Sequence, residues 1–259
     1  GIGYIGLAHF LAKNRVRYED PEAHKLVHEL TETFQYELLC ASNQIAKEKG
    51  ACDYFDRTKY AQGILPIDTY KKDVDEITPN VLKCNWDKLR ESIKVNGLRH
   101  STLTAQMPSE SSSVVSNATN GVEPPRDYLS VKKSKKGTLK QVVPQYSILK
   151  NFYTLLWDME DNDGYIKTLA VMQKFFDQAI SGNWSYNPEN YPNGEVPVSV
   201  LAGDMLKTFK YGWKTSYYQN TMDGKTEDVV KDENSAMNDY IPPMLDSPDS
   251  EEDCDACAI

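Results

Sequence analysis

The sequence predicts a helix-rich α/β fold followed by an acidic tail, and three observations support this prediction. Long segments repeat apolar residues at three- and four-residue steps, as amphipathic helices do, most clearly from Pro21 to Lys49. Short segments of strand-like composition, including a predicted β-hairpin, lie among these helices. The chain after Met222 is acidic and poor in large apolar residues, which is typical of a disordered segment. We therefore expect a folded part over residues 1–220 and a tail over residues 221–259.

The apolar periodicity predicts seven helices. They cover residues 1–13, 21–49, 53–64, 85–96, 146–158, 163–181 and 198–211. Gly50 and Gly97 directly follow two of them, at the position where glycine commonly ends a helix. Four segments are predicted to be extended, the middle two forming the hairpin around a KSKKG turn: 101–106, 128–133, 138–143 and 215–220. A loop rich in Pro and Asn, residues 183–197, separates the last two helices.

Charge and composition argue against several classes of protein. The net charge is −9, and twelve acidic against two basic residues follow Met222, so the preceding part is close to neutral. No basic stripe is available to neutralise the phosphates of a nucleic acid. No apolar run approaches the roughly 20 residues of a membrane helix, and the start lacks the features of a secretory leader. Scattered cysteines, Cys40, Cys52 and Cys84, are interpreted as reduced structural thiols in a cytoplasmic protein.

Two apparent motifs near the start are interpreted as structural. The first six residues, GIGYIG, have the GxGxxG spacing of dinucleotide-binding loops. No strand is predicted before them and no βαβ unit around them, so the motif lacks its required context. His24 and His28 lie four residues apart on a predicted helix, as a metal-binding pair would. Without a third ligand nearby, packing or surface roles are the better interpretation.

A serine cluster within residues 107–126 has the sequence context of an anion site. Ser111, Ser112 and Ser113 follow an extended segment and precede what we expect to be a further helix, in addition to the seven above. Hydroxyl groups and free N–H groups at a helix start stabilise phosphate. An ordinary helix cap would explain the same serines, because serine favours that position. Glu110 counts against a pure phosphate cradle, since its carboxylate would repel an anion.

Adjacent tyrosines, Tyr217 and Tyr218, lie in a short aromatic segment near residue 220. In a regular strand their side chains would face opposite sides, whereas in a bend they could stack. Tyrosine can give up an electron and a proton together, so the pair could be two steps of a radical chain. Two packing or interface aromatics would be the simpler interpretation.

A dithiol, Cys254 and Cys257, lies near the end of the chain in a run of acids. Two chemistries would use it: half of a zinc site, or a redox arm that carries electrons to a distant site. No second pair of ligands lies at a spacing suited to zinc, which weakens the first interpretation.

Five segments together resemble the C-terminal third of the large (α) subunit of class I ribonucleotide reductase, in the same order. They read GACDYFDRTKYAQGILPIDTYKKD, MPSESSSVVSNATNGVEPPR, NDGYIKTLAVMQKFFDQAIS, TSYYQNT and CDAC. The resemblance covers essentially the whole chain. It implies the last portion of a ten-stranded α/β barrel, and radical reduction of ribonucleoside diphosphates to deoxyribonucleoside diphosphates.

The resemblance also implies roles for individual residues. Five residues match the loop that holds the substrate phosphates: Pro108, Ser109, Glu110, Ser111 and Ser112. Tyr217 and Tyr218 match a stacked pair that passes a radical from the small (β) subunit to the active site. Cys254 and Cys257 match the tail dithiol that reduces the active-site disulfide and is itself reduced by thioredoxin or glutaredoxin.

The rest of the family's machinery lies outside the matched region. The thiyl-radical cysteine, the active-site cysteine pair and the nucleotide-effector site are N-terminal to it in the family. We therefore expect no metal or cofactor bound directly to this chain, a radical supplied by the metal cofactor of the β subunit, and assembly with an N-terminal polypeptide. The chain could be one half of a split subunit or a partial sequence, since it begins without Met. The alternative is a non-catalytic module or truncated fragment that docks the β subunit without activity.

Overall fold

In the computed structural model, the described residues are 1–134 and 137–222. Eight α-helices lie within this part of the chain: α1 Leu7–Lys13, α2 Pro21–Lys49, α3 Pro66–Thr69, α4 Trp86–Asn96, α5 Glu110–Val115, α6 Tyr146–Leu149, α7 Asp163–Gln173 and α8 Val198–Tyr211. The strands of the same part are β1 Leu129–Ser134, β2 Gly137–Val142, β3 Ser181–Tyr186 and β4 Thr215–Thr221. Short 3₁₀ turns connect several of these elements.

Helix α2 is the longest element and has the bounds that the sequence predicts. Pro21 occupies the first turn, where its missing N–H costs no hydrogen bond. At the other end Gly50 adopts a positive φ of 83°, and its N–H donates to the carbonyl of Ala46. One face of the helix is buried and packs against α7 and α4. The sequence signals at its ends and the burial of one face therefore both support a single helix of 29 residues.

The core consists of two clusters of buried apolar residues, and α2 contributes to both. The larger cluster is centred on α7, whose Tyr165, Ile166 and Leu169 are almost fully buried. The second joins Leu39 of α2 to Ile93 of α4. Helix α7 is buried on nearly every side, as a helix without a polar face must be.

Four extended segments from distant parts of the chain lie side by side and parallel. Ile2 pairs with Thr104, Gln106 pairs with Ile180, and β3 pairs with β4. Helix α8 connects β3 to β4, as a parallel pair requires a crossover. The segment around Ile2 and strand β4, near the two ends of the described chain, thus belong to the same set of parallel segments.

The β-hairpin is confirmed. Strands β1 and β2 are antiparallel, with Leu129 opposite Val142 and Ser134 opposite Gly137. A helix-rich α/β fold with a small hairpin is therefore observed within the described residues. The predicted tail begins at residue 221, whereas Thr221 still belongs to β4 and the N–H of Met222 donates to the carbonyl of Tyr186. The rest of the predicted tail, residues 223–259, lies outside the described part of the chain.

Several predicted elements differ in the structure. The first helix begins at Leu7 rather than Gly1, because Ile2 is paired with Thr104 and Gly6 has a positive φ of 82°. Residues 53–64 form two 3₁₀ turns, and residues 146–158 form the single turn α6 and two 3₁₀ turns. Helical spacing of apolar residues predicts burial in these segments but does not detect such short turns.

The prediction for residues 163–181 was also too long. Helix α7 ends at Gln173, and the chain then enters β3, which overlaps a segment predicted to be loop. Trp184 and Tyr186 of β3 are buried, and the strand pairs with β4, over 30 residues away along the chain. Local composition, with Asn and Gly in the strand, concealed this element. No helix among the described residues is both long and apolar enough to cross a membrane.

Candidate functional site

The serine cluster lies at the start of the short helix α5. The prediction that Ser111, Ser112 and Ser113 precede a helix was wrong, because α5 begins at Glu110 and contains them. Ser109 is the residue before the helix and is buried. Its backbone N–H and its hydroxyl both point to Oδ1 of Asn120, at 3.2 and 3.4 Å. This double contact fixes the start of α5 to the following loop.

The neighbouring serines of α5 differ in exposure. The Ser112 hydroxyl is exposed and donates to the carbonyl of Ser109 at 3.3 Å, while Ser113 is buried. Pro108 is exposed at the entrance to the helix. The backbone of Glu110 and Ser111 is helical. Of the serine side chains described within α5, Ser112 therefore belongs to an exposed residue and Ser113 to a buried one.

The apparent GxGxxG motif packs against the segment that leads into α5. A Cβ atom at Gly3 would lie 2.6 Å from the carbonyl oxygen of Ala105, which no side chain tolerates. The amide of Gln106 then joins both chains: its Oε1 accepts from the N–H of Tyr4 at 3.1 Å, and its Nε2 donates to the Tyr4 carbonyl at 2.9 Å. Gly3 thus allows the backbones of the two segments to approach each other closely.

The tyrosine pair lies on β4 with both side chains exposed. Tyr217 is 55% and Tyr218 59% accessible, so neither is a core aromatic. Their ring centroids are 4.4 Å apart and the ring planes make an angle of 68°. The two rings are therefore in edge-to-face contact, whereas the family resemblance implies a stacked pair.

A β-bulge explains why adjacent residues of one strand meet. Gly182 pairs with Ser216 and Trp184 pairs with Gln219, so two tyrosines on β4 lie opposite the single residue Asn183 on β3. In a regular strand they would point to opposite faces, but an extra residue interrupts that alternation. The bulge lets both phenol rings lie together.

The side chain of Asn183 joins the bulge to the segment that contains Glu123. Its Oδ1 accepts the backbone N–H of Tyr218 at 3.0 Å. Its Nδ2 donates to Oε1 of Glu123 at 2.6 Å. The other carboxylate oxygen of Glu123 lies 3.5 Å from Nδ2 of Asn120, the partner of Ser109. The serine cluster and the tyrosine pair, predicted separately, thus belong to one hydrogen-bonded region.

Sequence reasoning missed Asn120, Glu123 and Asn183. The first two lie inside the quoted segment of residues 107–126 but were given no role. Asn183 was assigned to a loop, since the strand that contains it was not predicted. Only the pairing of β3 with β4 reveals its function in the bulge.

Tyr217 affects the acidity of its neighbour Tyr218. A hydrogen bond with the Tyr217 phenol, followed by the charge interaction between the two groups, raises the pKa of the Tyr218 phenol. A phenol of raised pKa is neutral at physiological pH. Oxidation of Tyr218 by one electron must then be accompanied by loss of its proton.

The other titratable candidates have structural roles. Nε2 of His24 lies 2.9 Å from the carbonyl oxygen of Tyr18, and His28 lies 3.2 Å from the Lys174 ammonium. Burial, with a further contribution from Glu32, raises the pKa of the Cys84 thiol to about 11. Burial also raises the pKa of Cys40. Such thiols are protonated and poorly nucleophilic.

No group of three or more His, Cys, Asp or Glu side chains suited to a metal ion occurs among the described residues. The predicted dithiol, Cys254 and Cys257, lies outside the part of the chain that the structure describes.

Comparisons with known proteins assign the chain to a family. The family model of the ribonucleotide reductase barrel domain matches residues 1–219. The chain is 57% identical to ribonucleoside-diphosphate reductase 1 subunit alpha of Salmonella typhimurium over 232 residues, 90% of this chain and 30% of that protein. It is 54% identical to the corresponding Escherichia coli subunit over 95% of this chain and 31% of the relative.

A viral relative covers the chain completely. The ribonucleoside-diphosphate reductase subunit alpha of Enterobacteria phage T4 is 42% identical over 100% of this chain and 32% of its own length. The chain therefore spans about a third of the length of these curated relatives. The chain belongs to the ribonucleotide reductase family and corresponds to the C-terminal portion of a class I α subunit.

Proposed function

We propose that this chain is the C-terminal part of a ribonucleoside-diphosphate reductase large subunit. In that role it contributes to the radical reduction of ribonucleoside diphosphates to deoxyribonucleoside diphosphates for DNA synthesis. The observation that carries the proposal is the bulge in β4, which places Tyr217 and Tyr218 in contact and exposed. Packing of the core does not require such a pair.

The tyrosine pair transfers a radical in this proposal. A radical from the β subunit takes one electron and one proton from the first tyrosine, which then takes them from the second. The second tyrosine in turn oxidises a cysteine of the N-terminal part. Exposure of both rings supports contact with a partner chain, and the 4.4 Å between their centroids supports direct transfer.

The serine cluster binds the substrate phosphates. The proposed residues are Pro108, Ser109, Glu110, Ser111 and Ser112. The exposed hydroxyl of Ser112 and the rigid attachment of Ser109 to Asn120 support this role, because phosphate binding relies on donors held in place. Helix α5 is only six residues long, so its dipole contributes little compared with these donors.

The terminal dithiol restores the active site after each turnover. The thiolate of one tail cysteine, Cys254 or Cys257, attacks the active-site disulfide and forms a mixed disulfide, which releases one active-site thiol. The other tail cysteine then resolves the mixed disulfide, so that the tail disulfide forms and the second active-site thiol is released. Thioredoxin or glutaredoxin then reduces the tail disulfide by the same exchange. Such exchange suits a reducing compartment, the cytoplasm.

The remaining components come from other chains. The β subunit supplies the radical from its metal cofactor, and an N-terminal polypeptide or segment supplies the radical cysteine and the nucleotide-effector site. This chain itself holds no cofactor in the proposal.

A reconstitution assay tests the proposed function. This chain is mixed with the β subunit, the N-terminal polypeptide of the large subunit, a ribonucleoside diphosphate and thioredoxin with its reductase. We expect deoxyribonucleoside diphosphate only when all are present. Replacing Cys254→Ser and Cys257→Ser together should stop turnover with thioredoxin but spare turnover driven by dithiothreitol. Normal thioredoxin-dependent turnover of this double variant would refute the role of the dithiol.

A docking module without activity is the second candidate. Several apolar side chains of α8 are more than half exposed, as a protein-binding surface would be: Val198, Met205, Leu206 and Phe209. In that case the chain would bind the β subunit and the complete mixture would form no product. The two candidates are thus separated by product formation in a mixture that demonstrably assembles.

A further inference from the structure

We propose that Asn183, held by Glu123, is a positioning residue that sets the geometry of the tyrosine pair. The inference rests on the proposed radical-transfer function of Tyr217 and Tyr218. Neither Asn183 nor Glu123 would exchange electrons or touch the substrate. They would act through the backbone of β4.

Asn183 lies in β3, at the bulge. It is the single β3 residue opposite the two tyrosines in the bulge. Its side chain reaches across and accepts the Tyr218 N–H at 3.0 Å. A bulge disrupts the regular ladder, so a side-chain acceptor at this point stabilises the altered backbone path. The path of the backbone at Tyr218 in turn determines where its ring lies.

The contact with Glu123 sets the orientation of the Asn183 amide. An asparagine side chain can present either its oxygen or its nitrogen to a neighbour. A carboxylate can only accept hydrogen bonds, so Glu123 selects the nitrogen, which lies 2.6 Å from its Oε1. The oxygen must then face Tyr218. Glu123 therefore fixes the orientation that the bulge needs.

The geometry of the tyrosine pair matters for radical transfer. Transfer between two tyrosines depends on their separation and alignment, and a misplacement of about 1 Å can cost roughly 10²-fold in rate. Edge-to-face contact at 4.4 Å leaves the two phenols close but weakly held, since both rings are exposed. Their strand must supply the order that packing does not.

The contact toward the serine cluster is weaker. Nδ2 of Asn120 lies 3.5 Å from Glu123, at the limit of a hydrogen bond. We therefore expect changes at Asn183 to affect transfer much more than substrate binding.

An experiment that exchanges the amide and the carboxylate between positions 183 and 123 tests the inference. It uses the complete large subunit, assayed with the β subunit. Asn183→Asp places two carboxylates together, so the bond to Glu123 is lost. Combining it with Glu123→Gln restores a hydrogen bond of opposite polarity, in which an amide donates to a carboxylate that still accepts the Tyr218 N–H. Glu123→Gln alone keeps an acceptor for Asn183 but no longer fixes the orientation of the Asn183 amide, so it is the reference against which the double variant is compared.

We expect N183D to lower kcat and the rate of the first turnover by about 10²-fold, with KM within about threefold of wild type. The double variant should recover to within about threefold of the E123Q control. Unchanged kcat in N183D, or a folded double variant no faster than N183D, would overturn the inference. If N183D is insoluble, Asn183→Ala decides: we expect the same loss, and a wild-type kcat would overturn the proposal.

Tyr218→Phe in the same assay separates this inference from the proposed function. Turnover by that variant would refute the radical-transfer function itself. An inactive Y218F together with a fully active N183D would refute only the positioning role of Asn183.

Discussion

Glu32 on α2 and the tyrosine pair on β4 use polar groups in opposite ways. Glu32 is completely buried, and its carboxylate accepts three N–H groups, from Lys83, Cys84 and the Trp86 ring, at 2.9–3.1 Å. The two tyrosines are more than half exposed, and their strand is held by one described side-chain contact to Asn183.

This difference separates residues that maintain the fold from residues available to a partner. A buried carboxylate that satisfies three donors is expensive to remove, because the donors would remain unpaired in the interior. Exposed tyrosines contribute little to stability, so their side chains are free to be used for chemistry. Substitutions in the two regions should therefore give opposite patterns of stability and activity.

The largest expected effect is loss of activity on replacing either tyrosine. Tyr217→Phe or Tyr218→Phe removes the hydroxyl that loses a proton on oxidation, and we expect turnover to fall by more than about 10³-fold, as when one member of a functional unit is removed. Product formation by the complete subunit with the β subunit measures this effect.

The control for the tyrosines is Tyr54→Phe, which changes another exposed tyrosine. It should keep wild-type turnover, and all three variants should melt at the wild-type temperature. Substantial turnover by both phenylalanine variants at 217 and 218 would contradict the comparison.

The second effect is loss of stability on replacing Glu32. Glu32→Ala leaves two partly buried backbone N–H groups and the buried Trp86 ring N–H without their acceptor, and should destabilise the surrounding structure by about 2–3 kcal/mol. Hydrogen exchange of the Lys83 and Cys84 amides should become much faster. Glu37→Ala, on an exposed position of the same helix, is the matched control and should leave exchange unchanged.

The smallest effect is a sensitivity to acid that also belongs to the buried region. Burial, followed by the charge of Lys174, lowers the pKa of His28 to about 4. The unfolded chain protonates near pH 6.5, so the contribution of His28 to stability is complete above that pH. It is lost as the pH falls toward 4, by about 1.4 kcal/mol for each pH unit.

Melting temperatures at pH 7.5 and 5.5 test this contribution. His28→Gln keeps an acceptor for Lys174 but cannot take up a proton, so its melting temperature should fall less between the two pH values than that of wild type. His9→Gln, which removes a histidine that is not buried, should behave as wild type. Equal acid sensitivity of H28Q and wild type would contradict the assignment.

Local signals were sufficient for a large part of the fold. Helices α2 and α8 have the bounds that were predicted, since a regular apolar repeat ends at Gly50 and at Gly212. The hairpin was also predicted, from strand-like segments on either side of a short turn. The site predictions placed Ser109 and the tyrosines in the region that the structure brings together, although their roles in the reaction stay predictions.

The sequence by itself thus determined the helix-rich composition, the main helices, the hairpin and the family, because each depends on residues that are neighbours in the chain. Only the tertiary structure decided the existence of β3, the bulge that brings Tyr217 and Tyr218 to one side, and the link from Asn183 to Glu123. These features depend on partners 34 to 60 residues apart, and no periodicity along the chain encodes which strand will pair with which.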